Sequence, residues 1–221
     1  DVAFADETPI QVLKEPDRRV DQKSYMWIFG GGSPDQFFII YKYAASRGHE
    51  VPLEILKDFL GSLHSDGYSG YDALSRKIDI TQVGCWYHAR RKFVAAQKVS
   101  KKSGLANFAI KKIAQLSRIE KQKSALTSKA MYELRQEKAL PILTELKIWL
   151  DDKKPKVPPD SLIGMAINYT LNQWPKLMNY ILDGRLEISN NGMERCAKPF
   201  ATGRKNWLFA NSVPGADAAA I

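Results

Sequence analysis

The sequence predicts an α/β protein: a mixed five-stranded sheet flanked by helices and interrupted by a large all-helical insertion. Three observations predict it. Residues 2–41 hold three short apolar runs separated by turn-forming residues. A helix, a strand, a second helix and a second strand follow, up to about residue 86. From about His88 to Asp183 glycine nearly vanishes and apolar residues recur at spacings of three and four.

The elements can be justified in order. Val2 to Asp6 alternates large and small side chains, and Ile10 to Leu13 continues in extended form after Pro9. Glu15 to Gln22 is charged, contains Pro16 and reads as a turn. Ser24 to Phe29 is an aromatic β-prone run expected to stop at Gly30-Gly31-Gly32, read as a hairpin turn, and Gln36 to Tyr41 is the third strand. Short connections make these three an antiparallel meander. Val51 to Phe59 carries Leu53, Ile55, Leu56 and Phe59 at helical spacing, with Pro52 suited to a first turn. Leu60 to Asp66 reads as a fourth strand broken by Gly67, Tyr71 to Arg76 as a brief helix, and Thr81 to Trp86 as a fifth strand. In the insertion, Ile110, Ile113, Leu116 and Ile119 form one apolar stripe, and Leu140, Leu143, Leu146 and Leu150 another. Asp160 or Ser161 can cap a further helix running to Trp174, and Gly184 ends the block. Glu187 to Arg195 leads into a short helix, and Phe200 to Phe209 reads as a basic loop with an apolar end. The expected division is residues 1–87 and 186–221 as the core, with 88–185 as the insertion.

The chain has 221 residues and a net charge of +9, from 33 basic against 24 acidic residues. Such a balance favours a polyanionic partner, because Lys and Arg that neutralise phosphates release condensed counterions. Two cysteines, Cys85 and Cys196, make no disulfide framework and suit a reducing cytoplasm. No apolar run approaches the ~20 residues that span a bilayer, so no membrane partner is expected. The chain opens on Asp1 rather than Met, without a basic-then-apolar leader, and closes on a run of small residues. Both ends are expected to be cut from a longer protein.

Three acidic residues stand out by position. Asp6 sits late in the first strand, Asp66 ends the fourth, and Glu194 opens a helix after the insertion. Two-metal phosphodiester cleavage needs carboxylates converging from several elements on cations about 3.5–4 Å apart. Magnesium prefers such oxygen ligands. Each residue has a plainer reading: a strand-end Asp or Asp-Gly is often a turn former, and a Glu opening a helix suits the macrodipole. Glu187, seven residues before Glu194, competes as a third carboxylate.

Taken with their surroundings, these residues carry a resemblance. The segments ADETPIQVL (5–13), SDGYSGYDAL (65–74), GCWYHARRKF (84–93) and ISNNGMERCAKPFATGRKNWLF (188–209) resemble transposases of the insertion sequence 66 family across essentially the whole chain. The resemblance implies a ribonuclease H-like core, a helical insertion before the last catalytic helix, and an Asp-Asp-Glu triad falling on Asp6, Asp66 and Glu194. It also implies two Mg²⁺ ions, with Mn²⁺ able to substitute. The implied reaction is hydrolysis at transposon ends, then attack of the freed 3′-hydroxyl on target DNA. Implied too are a homodimer or higher assembly on DNA and a place in the bacterial cytoplasm beside the nucleoid. Glu194 is preferred over Glu187 because it lies within the matching motif.

Two basic clusters flank these carboxylates. His88, Arg90, Arg91 and Lys92 follow the fifth strand, and Arg195, Lys198, Arg204 and Lys205 surround the third carboxylate. They are candidates for phosphate contacts, against the plainer reading of a solvated face. Asn191 is a supporting candidate for orientation. Trp207 is expected to pack rather than stack on a base. Cys85 and His88 have the spacing of half a zinc site, but no second ligand pair stands at recognisable spacing. The competing functions are a ribonuclease H-like nuclease that does not join strands, a non-catalytic DNA-binding module, and a basic scaffold.

Overall fold

A computed structural model of the chain describes residues 1–33, 36–76, 79–99, 104–207 and 209–220, with only the backbone described at 33, 75–76, 199, 201 and 204–207. The chain forms two compact units, one made of residues 1–82 and 190–221 and the other of 83–189.

The first unit is built on a sheet. Strand β1 (Val2–Lys14) pairs antiparallel with β2 (Lys23–Ser33), which pairs antiparallel with β3 (Gln36–Ala44). On its other side β1 takes β4 (Gly61–His64) in parallel through Val2, Ala3 and Phe4. Further along, through Val12 and Lys14, it takes the short parallel strand β6 (Ala210–Ser212). The order is β3-β2-β1-β4-β5, with β5 at Ile80–Val83 and β6 beside β1.

Strand alternation divides the apolar residues between two faces. Ala3, Ala5, Trp27 and Phe29 pack with Val51 of helix α1 (Glu50–Ile55), with Leu56 just past it, and with Tyr71 and Leu74 of a 3₁₀ turn at Ser69–Arg76. Ile10, Val12, Met26 and Ile28 pack on the other face. There they meet Met193, Ala197 and Phe200 of helix α8 (Asn191–Trp207) and Ala216 of α9 (Val213–Ala218). The 193, 197, 200 spacing is one apolar stripe of a helix. By the same alternation Asp6 belongs to the α8 face and Glu7 to the opposite one.

The second unit is helical. It comprises α2 (Trp86–Val99), α3 (Leu105–Glu120), α4 (Ser128–Leu134), α5 (Leu140–Lys153), α6 (Leu162–Asn172) and α7 (Trp174–Met178). Ile113, Leu116 and Ile119 are buried, as are Leu143, Leu146 and Leu150, but the first residue of each expected stripe is not: Ile110 is half-buried, and Leu140, which opens α5, is exposed. The Ser161 side chain accepts from the Gly164 amide and caps α6. Between α4 and α5 lies a π-helical turn, Arg135–Ala139. Arg135 is fully buried there. Its guanidinium meets Glu120 through Nε (3.0 Å) and Nη2 (2.6 Å), and donates to the carbonyls of Tyr180, Asp183 and Leu186. All five donors are thereby used.

Several expectations are corrected. Gly30, Gly31 and Gly32 are not a turn; they continue β2 in register with Phe4, Ala3 and Phe37. A Cβ at Gly30 would fall where Met193 of α8 packs, so the missing side chain admits the helix. Residues 200–207 are not a loop, since α8 runs on to Trp207 and holds its place through the Met193 stripe. The helix read at 51–59 closes at Ile55, and the fifth strand closes at Val83, with Trp86 opening α2. The fourth strand ends at His64, leaving Asp66 two residues beyond it. A sixth strand, β6, brings the sheet to six.

Candidate active site

Asp6 lies on β1, and Asp66 two residues past the end of its parallel neighbour β4. Phe4 stands opposite His64, and two further residues along each chain lie Asp6 and Asp66. Glu194 arrives from the first turn of α8, beside the buried Met193 that seats this helix on the sheet. The helix start is tied to β1 directly, because buried Asn190 donates from Nδ2 to the Ala5 carbonyl at 2.9 Å. The peptide next to Asp6 is thus fastened to the residues that lead into Glu194.

Electrostatics join the three groups. Burial, together with repulsion from Glu7, Asp66 and Glu194, raises the Asp6 carboxyl from the usual carboxylate range to about 7. The Glu7 amide donates to Asp6 Oδ1 at 2.9 Å and only partly offsets this. Among the described residues no Lys or Arg pairs with Asp6. Asp66 Oδ1 accepts from the Tyr68 amide at 2.9 Å, a local turn that fixes the carboxylate. Glu187, the competing third acid, belongs to the helical unit and forms an ion pair with Lys123.

The basic candidates divide between the units. His88, Arg90, Arg91 and Lys92 lie on α2, where Arg91 contacts the His88 ring and Lys92 Nζ sits 4.5 Å from the centre of the Tyr169 ring. Arg195 and Lys198 are exposed on α8. The side chains of Arg204, Lys205 and Trp207 lie outside the described residues. Asn191 is the first residue of α8. Cys85 is buried.

A family model described as Transposase IS66 family matches residues 1–218. The chain belongs to the IS66 transposase family. It is similar to three uncharacterized proteins of Sinorhizobium fredii. With y4qI it is 34% identical over 96% of this chain and 41% of the relative. With y4hP it is 33% identical over 87% and 37%, and with y4jD 29% identical over 99% and 44%. The chain therefore spans less than half the length of these relatives. No solved structure matches it. Among the described residues no helix is long and apolar enough to cross a membrane.

Within this IS66 chain, side chains that sequence reasoning passed over surround the acids. Glu7 is buried behind Asp6, ion-paired with Arg47 and hydrogen-bonded by the Tyr71 hydroxyl at 2.7 Å. Burial pushes its carboxyl up, although Tyr71 and Arg47 both pull it down. Glu7, Tyr68 and Tyr71 lie in two of the motif segments, and Asn190 lies in a third. That was the one signal that could have drawn attention to them.

Proposed function

We propose that this chain is the catalytic core of a DNA transposase, cutting and joining phosphodiester bonds with an Asp6, Asp66 and Glu194 triad on a ribonuclease H-like sheet. Family membership supports the general role. The observation that carries the triad is the electrostatic coupling of Asp6 to both other acids without a described basic partner. The antiparallel β1-β2-β3 meander, continued by parallel β4, supports the fold reading.

The three acids suit a hard divalent cation because they offer carboxylate oxygens, and a cation would offset the burial and the acid–acid repulsion that together hold a proton on Asp6 near neutral pH. Asp6 and Asp66 would hold one Mg²⁺ or Mn²⁺ ion, and Glu194 would complete a second site. Bound there, the ions supply an activated water or 3′-hydroxyl nucleophile and charge stabilisation at the leaving oxygen. The chain does the rest. Asp6 would hold the cation as a carboxylate, the Tyr68 amide holds Asp66, and Asn190 keeps the start of α8 on β1. Arg195 and Lys198 face solvent beside Glu194 and would meet DNA phosphates, as would the α2 cluster in its own unit. Joining two transposon ends to target DNA implies at least a dimer on DNA, working in the bacterial cytoplasm.

A strand-transfer assay tests this reading. With pre-cleaved 3′-hydroxyl ends and Mg²⁺ or Mn²⁺, the wild type gives joined product and Asp66→Asn gives none. Nicking without joining would reassign the chain as a nuclease. Unchanged metal-dependent nicking by Asp66→Asn would remove the triad.

A further inference from the structure

Two neighbouring acids are useful only if their separation is fixed, yet Asp6 ends up on a long strand and Asp66 on a loop two residues past a short one. A closed circuit of side chains spans that gap. The side chain of Glu7, adjacent to Asp6, is 1% exposed. Its Oε1 takes Arg47 Nε at 3.0 Å and also Nη2, and its Oε2 takes the Tyr71 hydroxyl at 2.7 Å. The Arg47 guanidinium lies over the Tyr68 ring, 3.8 Å from its centre, and the Tyr68 hydroxyl donates to the Arg47 carbonyl at 2.6 Å. The Tyr68 amide closes the circuit on Asp66 Oδ1 at 2.9 Å. From Asp6 the path runs through Glu7, Arg47 and Tyr68 to Asp66, and Tyr71 braces it from the following turn.

We propose that Arg47 and Tyr68 are positioning residues that set the distance between the Asp6 and Asp66 carboxylates, and through it the affinity for the divalent cation. This rests on the triad reading above. The chemistry favours it over mere packing. Arg47 neutralises Glu7, the acid next to Asp6 that faces the opposite side of the sheet, so Glu7 need not compete for the cation. Its planar fork, stacked on a tyrosine, fixes an orientation that a lysine ammonium does not. A simple surface ion pair has neither the buried carboxylate nor the stacked ring.

The test is Mn²⁺ binding, measured by titration calorimetry on the whole 221-residue chain, alongside thermal unfolding in chelator. The variants are Arg47→Lys, which keeps the charge, Tyr68→Leu, which removes ring and hydroxyl, and Tyr68→Phe, which keeps the ring. The proposal expects Arg47→Lys and Tyr68→Leu to remain folded at the assay temperature and to bind Mn²⁺ about tenfold more weakly, as loss of outer-shell support does. Tyr68→Phe should recover part of that loss. Folded variants that bind Mn²⁺ within about twofold of wild type would overturn the proposal while leaving the triad intact. If Tyr68→Leu unfolds, the Arg47→Lys and Tyr68→Phe pair still decides. A wild type that does not bind Mn²⁺ at all would overturn both readings together.

Discussion

Asp6 combines a charge the site needs with surroundings that resist it. Its carboxyl is raised to about 7 by burial and by three neighbouring acids. An ordinary unfolded Asp titrates near 3.9. The folded state therefore binds the proton more tightly. Its contribution to stability is fully present below about pH 4 and is lost as pH rises through about 7. In chelator, the melting temperature should accordingly fall between pH 4.5 and 8, and Asp6→Asn should flatten that fall and be the more stable protein at pH 8. An unchanged pH profile in Asp6→Asn would show that the proton resides elsewhere. Arg135 illustrates the opposite case, a buried charge fully satisfied by Glu120 and three carbonyls. Arg135→Met should cost about 3–5 kcal/mol in urea unfolding, because it leaves a buried Glu120 without its partner. At this scale the sequence was least legible. Asp6, Asp66 and Glu194 stood out through their motifs, but the bonds from Glu7 to Arg47 and Tyr71 join residues 40 and 64 positions apart, and no local period announces them.

Elements were read more easily than side chains, for a physical reason. Strands β1 to β3 are marked by apolar runs, and the helical stripes at 110–119 and 140–150 bury all the residues their period selects except the first of each, half-buried Ile110 and exposed Leu140. Misreadings fell where local preference and tertiary packing disagree. Glycines weaken a strand, yet Gly30 sits inside β2 because Met193 of α8 needs the space. Residues 200–207 contain Gly203 and follow Pro199, poor helix formers, yet α8 passes through them on the strength of its buried Met193, Ala197 and Phe200 face. Gly30→Val should displace the ends of the Met193 and Phe37 side chains, at an expected cost of about 1 kcal/mol in chemical denaturation. Stability equal to wild type would mean that α8 does not depend on the gap. Strand β3 is the sheet edge, and Phe37, Phe38, Ile39 and Ile40 are all about half exposed. Phe38→Lys should lower aggregation on light scattering, as charge on an edge strand does.

At the scale of the whole molecule, an excess of nine positive charges accompanies a site made of negative ones. On the proposed reading the acids would hold a cation and exposed Lys and Arg would hold phosphate, so DNA binding should be strongly salt-dependent while cation binding is local. Replacing Arg195 and Lys198 with Ala should lower the slope of log affinity against log salt by about 0.9 per lost phosphate contact, leaving Mn²⁺ affinity nearly unchanged. A slope equal to wild type would place the DNA path elsewhere. The claim on which the rest depends is that Asp6, Asp66 and Glu194 act on one cation centre. The most direct measurement is a crystal soaked in Mn²⁺ and recorded at the manganese absorption edge. The account predicts anomalous density ligated by carboxylate oxygens of Asp6 and Asp66, with a second, neighbouring peak that takes an oxygen of Glu194. A peak ligated by other residues, or none at saturating Mn²⁺, would contradict it.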